Sequence, residues 1–223
     1  MKTNTVNMTE LVFILDRSGS MGGLESDTIG GFNSMLAKQQ EASGECRITT
    51  VLFDNEYEIL HDRIDIKAVG PITEKEYFVR GSTALLDAVG KTINKIASVQ
   101  KSTAKDYRAG KVLFVITTDG LENSSREFGY EKIKSMIEKQ KEKHSWEFIF
   151  LGANIDAVEV AGSIGISANR AQSFHNDSDG IGLNYCVLSK AVADFREAPC
   201  GAGFADDWSD EIDDDFKKRG AAQ

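Results

Sequence analysis

The sequence has 223 residues, of which 41% are hydrophobic and 27% are charged, a length and composition typical of one globular domain with a single sizeable core. Its 35 acidic and 26 basic side chains give a formal net charge of −9, which argues against binding to nucleic acid or to an anionic membrane. The longest apolar run near the start, 11–15, is too short for a secretory signal or a membrane span, so we expect a cytoplasmic protein.

The hydrophobic pattern predicts strands and helices that alternate along the chain. Apolar runs predict strands at 11–15, 48–53, 57–60, 111–117 and 148–151, with a weaker strand near 171–174. Apolar residues three or four positions apart predict helices at 24–40, 84–99, 130–143, 157–163 and about 181–195. This alternation is typical of a mostly parallel sheet with helices on both faces, and we predict a Rossmann-like, doubly wound α/β fold.

The C-terminal stretch differs from the rest of the chain. It holds seven acidic side chains between Ala205 and Phe216, followed by Lys217-Lys218-Arg219. Its large apolar residues recur every fourth position, as on one face of a helix, at Phe204, Trp208, Ile212 and Phe216. The stretch is therefore either a solvated tail or a short amphipathic helix that packs on the body or on a partner. We divide the chain into a lead-in at 1–8, one domain at 9–197 and an acidic tail at 198–223.

Oxygen-bearing side chains follow the first predicted strand. Asp16, Ser18 and Ser20 alternate along the loop, and residues two apart in an extended segment point the same way. Gly19 allows the backbone to turn sharply between them. Three oxygen donors at this spacing suit a hard cation better than zinc, which prefers nitrogen and sulfur.

Two further strand ends add donors to this set. Thr83 lies just before the predicted helix at 84–99, and Asp119 follows the apolar strand at 111–117. In open α/β sheets ligands bind at the carboxyl ends of the strands, so we expect all five side chains to converge there. Two carboxylates and three hydroxyls would hold Mg²⁺ or Mn²⁺ and leave room for water or for an outside oxygen ligand.

The string Asp16-x-Ser18-x-Ser20, followed by Thr83 and then by Asp119-Gly120, resembles the metal-ion-dependent adhesion site (MIDAS) of the von Willebrand factor type A domain. The resemblance covers roughly residues 9–195. It implies that hydroxyls of the two serines and the threonine bind the metal, with Thr83 direct or bridged by water, and that the two aspartates act mainly through water. It further implies that an Asp or Glu of a partner protein completes the coordination shell.

Two positions depart from the family pattern. Arg17 lies inside the first loop, where a cation beside the metal could weaken its binding or help to hold an acidic ligand. Ser82 stands where many members have a second glycine before the threonine. Neither departure removes a predicted ligand.

We therefore expect a non-catalytic, metal-dependent protein-binding module that serves in adhesion or as a scaffold. One alternative is a hydrolase or phosphatase that uses the same ion to orient a water. Against it, Ser18 stands where a haloacid-dehalogenase-like phosphatase has a second aspartate, and the three histidines are scattered at 61, 144 and 175. The other alternative is a structural module with a vestigial metal site, in which the acidic tail makes the contacts. No pattern in the sequence specifies an oligomeric state.

Overall fold

Six strands and six α-helices lie along residues 8–220, the part of the chain that the computed structural model describes, and they alternate except at the pairs β2–β3 and α5–α6. The strands are β1 Met8–Asp16, β2 Glu45–Phe53, β3 Tyr57–Asp65, β4 Lys111–Thr118, β5 Glu147–Ala153 and β6 Ala171–Phe174. The helices are α1 Glu25–Glu41, α2 Leu85–Ser102, α3 Tyr130–His144, α4 Ala157–Ser163, α5 Ser178–Glu197 and α6 Asp210–Gly220. Of the predicted lead-in, 1–7 lie outside the described residues and Met8 begins β1; 221–223 of the predicted tail also lie outside them. No helix among the described residues combines the length and the hydropathy needed to cross a bilayer.

The six strands form one sheet in the order β3-β2-β1-β4-β5-β6. All neighbouring pairs are parallel except β2 and β3, which form an antiparallel hairpin. Its turn is too short for a crossover, so the chain must reverse direction. Within the turn the Asp54 carboxylate accepts a hydrogen bond of 2.6 Å from the Glu56 backbone N–H. The predicted Rossmann-like, mostly parallel α/β fold is confirmed.

The central strand β1 explains why the sheet has a core on each face. Side chains of Leu11, Phe13 and Leu15 lie in the apolar layer formed with α1 and α5. Val12 and Ile14 point to the opposite face, into the layer formed with α2, α3 and α4. Since both faces are covered by helices, the middle of the strand is apolar on both sides, which is the continuous run at 11–15 seen in the sequence.

The segment after α5 contributes to the core on the α1 and α5 face. Phe204, Trp208 and Ile212 are buried in that layer, whereas Phe216 remains 37% exposed. The four-residue spacing does not form one continuous helix, because α6 begins only at Asp210 and the first two aromatic residues precede it, Phe204 in irregular chain and Trp208 in a turn. The Trp208 indole N–H donates a hydrogen bond of 3.0 Å to the Asn169 carbonyl, which fixes the segment beside β6.

Candidate metal centre

The five predicted site residues lie together at the carboxyl edge of the sheet. Asp16 is the last residue of β1, and Ser18 and Ser20 follow it in the loop before α1. Asp119 directly follows β4, and Thr83 lies two residues before α2. The strand order reverses between β1 and β4, and this is the place where open α/β sheets bind their ligands.

A chain of hydrogen bonds joins four of the five side chains. The Thr83 hydroxyl donates to the Ser18 hydroxyl at 3.0 Å, and the Ser18 and Ser20 hydroxyl oxygens are 3.0 Å apart. The Ser20 hydroxyl donates in turn to Oδ1 of Asp119. Oxygens linked at these separations lie close enough together for a single cation to contact several of them.

Asp16 shapes the loop that carries the serines. Its Oδ1 accepts a hydrogen bond of 2.6 Å from the Ser18 backbone N–H, and its Oδ2 accepts one of 2.6 Å from the Thr118 hydroxyl. Its backbone carbonyl accepts a hydrogen bond of 2.6 Å from the hydroxyl of the buried Tyr77. The carboxylate therefore ties the end of β1 to the end of β4 and fixes the direction of the loop.

The two carboxylates of the site are both buried, and burial disfavours their charged forms. Asp16 is 2% exposed and Asp119 is 3% exposed. Burial raises the pKa of both groups, while hydrogen bonds from Ser18 and Thr118 to the first, and from Ser20 and Asn176 to the second, act in the opposite direction. Within residues 8–220 neither carboxylate forms an ion pair with a Lys, Arg or His side chain. A divalent cation would supply the positive charge that these groups lack.

The Arg17 side chain lies away from the five oxygens. It is fully buried, and its Nε is 3.0 Å from Oδ2 of Asp54, while its Nη2 is 2.7 Å from Oε2 of Glu58. Both carboxylates belong to the β2–β3 hairpin, so the charge of Arg17 is balanced there. Arg17 therefore anchors the loop to the hairpin, and its guanidinium is already paired with carboxylates of this chain before any acidic ligand binds.

The loop after β4 holds Thr83 in place through hydrogen bonds. The Thr83 backbone N–H donates a hydrogen bond of 2.9 Å to the side-chain oxygen of Asn123, and the Asn123 N–H donates one of 3.0 Å to the Thr83 carbonyl. Ser82, the second departure from the family pattern, accepts a hydrogen bond from the Ser124 hydroxyl and helps to join the same two loops. Gly120 packs against them: a Cβ there would lie 3.2 Å from the Ser20 hydroxyl oxygen and 3.4 Å from that of Thr83.

Four supporting residues were not identified from the sequence: Tyr77, Thr118, Asn123 and Asn176. Thr118 had a usable signal, since it directly precedes Asp119 at the end of a buried strand. The other three lie in loops without periodicity, and their partners are distant in the chain. Asn176 donates a hydrogen bond of 3.1 Å to Oδ2 of Asp119 from the loop between β6 and α5.

The chemistry of the donor set fits a hard divalent cation. The converging side chains offer hydroxyl and carboxylate oxygens, the ligand types that Mg²⁺ and Mn²⁺ prefer. Among the described residues no group of three or more His, Cys, Asp or Glu side chains is placed to hold a metal. Hydroxyl oxygens would therefore have to supply part of any coordination shell here.

Comparison with known proteins decides the fold. No protein-family profile matches the sequence, and a search of curated proteins finds no relative. Among solved structures, the vWF domain of the type V pili tip protein Mfa5 from Porphyromonas gingivalis covers 86% of this chain and 97% of its own length, at 12% identity and a TM-score of 0.59. The chain has the von Willebrand factor type A fold. The fold that the sequence resemblance implied is thereby confirmed.

Two further solved structures with similar folds contain a divalent metal. PTMP1 from the mussel byssus, with a zinc-occupied MIDAS motif, covers 86% of this chain at 13% identity and a TM-score of 0.56. The manganese-loaded TRAP protein of Plasmodium vivax covers 66% at 21% identity and a TM-score of 0.50. The matched region makes up 47% of the PTMP1 chain and 57% of the TRAP chain, so this chain spans about half of each. Members of the von Willebrand A fold thus include proteins that hold a divalent metal.

Proposed function

We propose that this chain is a non-catalytic, metal-dependent protein-binding module of the adhesion or scaffold type. The observation that carries the proposal is the convergence of Asp16, Ser18, Ser20, Thr83 and Asp119 at the switch point of the sheet. The metal-bearing von Willebrand A structures support the class of ligand. The cytoplasmic location and the lack of nucleic-acid or membrane partners stay predictions from the sequence, whose charge is −9.

The residues have distinct roles in this proposal. The hydroxyls of Ser18, Ser20 and Thr83 hold Mg²⁺ or Mn²⁺, and Asp16 and Asp119 hold it mainly through water while they orient the hydroxyls. Three neutral ligands leave most of the ion's charge uncompensated, so an incoming carboxylate is strongly attracted. Ser20 is exposed, which leaves one side of the site open to a partner. We infer that an Asp or Glu side chain of a partner protein completes the shell.

The surroundings of the site favour binding over catalysis. General acid–base chemistry needs a titratable group within hydrogen-bond reach of the reacting atoms. The contacts of the histidines lie elsewhere: His61 with the Thr50 hydroxyl, His144 with the Trp146 ring and His175 with Phe216.

Calorimetric titration of Mg²⁺ and Mn²⁺ into chelator-treated protein tests the metal site. We expect saturable binding by the wild type and a loss of at least about tenfold in affinity for Asp119→Ala and Ser18→Ala. Asp106→Ala is the matched control, because this exposed carboxylate precedes β4 at the opposite edge of the sheet. A wild type that binds neither ion would indicate the vestigial alternative and overturn the proposal.

The protein-binding part needs a separate measurement. We expect the Mn²⁺-loaded protein to retain synthetic peptides that contain Asp or Glu, and to release them when EDTA is added. Peptides with Asn or Gln at the same positions are the control for the carboxylate. If the peptides were retained equally well in EDTA and with Asn or Gln in place of the acidic residues, the role of the metal would be contradicted. Phosphatase or esterase turnover that disappears with EDTA and in Asp119→Ala would favour the hydrolase alternative instead.

A further inference from the structure

The loop between β6 and α5 contacts the candidate metal centre through Asn176. Its Nδ2 donates a hydrogen bond of 3.1 Å to Oδ2 of Asp119, while Oδ1 of the same carboxylate accepts from Ser20. Asn176 and Ser20 thus hold the two oxygens of one carboxylate. Oδ1 of Asn176 is buried and has no hydrogen-bond partner within the described part of the chain.

The two neighbours of Asn176 are both held by α6. The His175 ring stacks on the Phe216 ring at a centroid distance of 4.8 Å and an interplanar angle of 29°, and its Nε2 is 3.3 Å from the Phe216 carbonyl oxygen. On the other side the Asp177 carboxylate pairs with the Arg219 guanidinium. Asn176 is therefore placed between two contacts with the same helix.

The loop between β6 and α5 has little freedom to move independently of these contacts. Asp177 is the N-cap of α5, and its side chain accepts a hydrogen bond of 2.9 Å from the Gly180 backbone N–H. A Cβ at Gly180 would lie only 2.1 Å from the His175 carbonyl oxygen, so the loop already touches the first turn of α5. At its other end α6 is anchored by Ile212, which is 1% exposed in the core. A shift of α6 must therefore be passed to the loop.

We propose that Asn176 is a positioning residue of the metal centre and that α6 holds it in place through Phe216 and Arg219. The inference rests on the proposed metal site, because its effect is an effect on metal affinity. With the amide in place, the Asp119 carboxylate is fixed in the orientation that meets Ser20. Without it, Oδ2 has no side-chain donor in this loop and the carboxylate must be ordered when the ion binds, which costs conformational entropy. The acidic C-terminal segment thus tunes the metal site without touching the ion.

Mn²⁺ calorimetry on the full chain tests this inference. We expect Asn176→Ala to weaken Mn²⁺ binding about tenfold, the usual scale for groups that orient metal ligands, and Arg219→Ala to weaken it less, by about threefold. Asn176→Gln keeps an amide donor and should bind more tightly than Asn176→Ala. Lys218→Ala is the matched control: this residue lies on the same helix, pairs with Asp214 and should leave the affinity unchanged.

The double variant Asn176→Ala/Arg219→Ala separates the proposed route from a general structural effect. If α6 acts through Asn176, the double variant binds Mn²⁺ as Asn176→Ala alone does. The inference would be overturned if the wild type, Asn176→Ala and Arg219→Ala bound Mn²⁺ with equal affinity. It would also be overturned if the losses of Mn²⁺ affinity in the two single variants multiplied in the double variant. Thermal melts in EDTA, expected to agree across the set, show that the variants are folded. A wild type that binds no Mn²⁺ refutes the metal site itself, which is a different result.

Discussion

Replacement of Trp208 by alanine tests whether the segment after α5 is part of the hydrophobic core. The Trp208 side chain is 6% exposed and packs edge-on against Phe204 at a centroid distance of 5.8 Å. Its indole N–H donates to the Asn169 carbonyl at 3.0 Å. The substitution removes the ring, leaves a cavity beside Phe204 and deletes this hydrogen bond.

The structure sets the expected loss of stability. Truncation of a buried tryptophan costs about 3–5 kcal/mol in the free energy of unfolding, through lost burial and the remaining cavity. A domain of ordinary stability has about 5–15 kcal/mol, so this one change would remove a large share of it. Trp208→Phe keeps most of the apolar surface but loses the N–H donor, and we expect a cost of about 1–2 kcal/mol. Phe216→Ala is the control at a residue that is 37% exposed, where less than about 1 kcal/mol should be lost.

Urea denaturation followed by far-UV circular dichroism measures these differences without relying on tryptophan fluorescence. Equal slopes of the free energy against urea concentration would show that the variants unfold from similarly compact states. The order of stability should be wild type, Trp208→Phe and then Trp208→Ala. If Trp208→Ala lay within about 1 kcal/mol of the wild type, the segment would be a solvated tail and our account of its packing would be wrong.

Four further substitutions test backbone conformation and buried charge, each by the same denaturation assay. Gly81→Ala should cost more than about 2 kcal/mol, because φ is +67° and a Cβ would lie 1.9 Å from a side-chain oxygen of the β2–β3 turn. Gly201→Ala, at φ +90° in open space, should cost only about 1 kcal/mol; equal losses would refute the steric argument. Arg17→Ala should cost about 3 kcal/mol, since it removes a buried partner of Asp54, and an unchanged midpoint would contradict this. Burial raises the pKa of Asp87, but three backbone N–H donors outweigh it and the pKa is lowered. Its stabilising effect is therefore present above the unfolded pKa of about 3.9 and is lost as the pH falls through the lower folded value. Asp87→Asn should be about 1–2 kcal/mol less stable at pH 7, and a deficit that did not shrink in acid would refute the linkage.

Much of the fold could be predicted from the sequence because its signals are local. Strands covered on both faces require an unbroken apolar run, and β1 and β4 show it. The loop after β1 carries three oxygen donors within five residues, so their convergence follows from backbone geometry alone. The approach of Asp119 to that loop was predicted from the rule that parallel strands end at one edge. Thr83 was expected at a strand end too, but it follows no strand directly and lies at the end of the segment between β3 and α2.

Contacts between distant parts of the chain could not be predicted in this way. Asn176 lies 57 positions from Asp119, and no periodicity marks a loop residue whose only task is one hydrogen bond. Arg17 stands in the metal loop in sequence, yet its side chain turns to carboxylates of the β2–β3 hairpin. The direction of a long side chain depends on which partners the fold brings near it, and the sequence around it does not state them.

The sequence by itself determined the α/β class, the order of the elements and the candidate ligands, because each depends on neighbours a few positions away. Only the tertiary structure decided how the C-terminal segment is used. Its apolar spacing fitted a solvated tail or a helix on either the body or a partner, and the packing of Trp208 and Ile212 into the core selects the body. Burial is a property of the whole assembly of elements, and this is why α6 and its contact with the loop of Asn176 emerged from the fold alone.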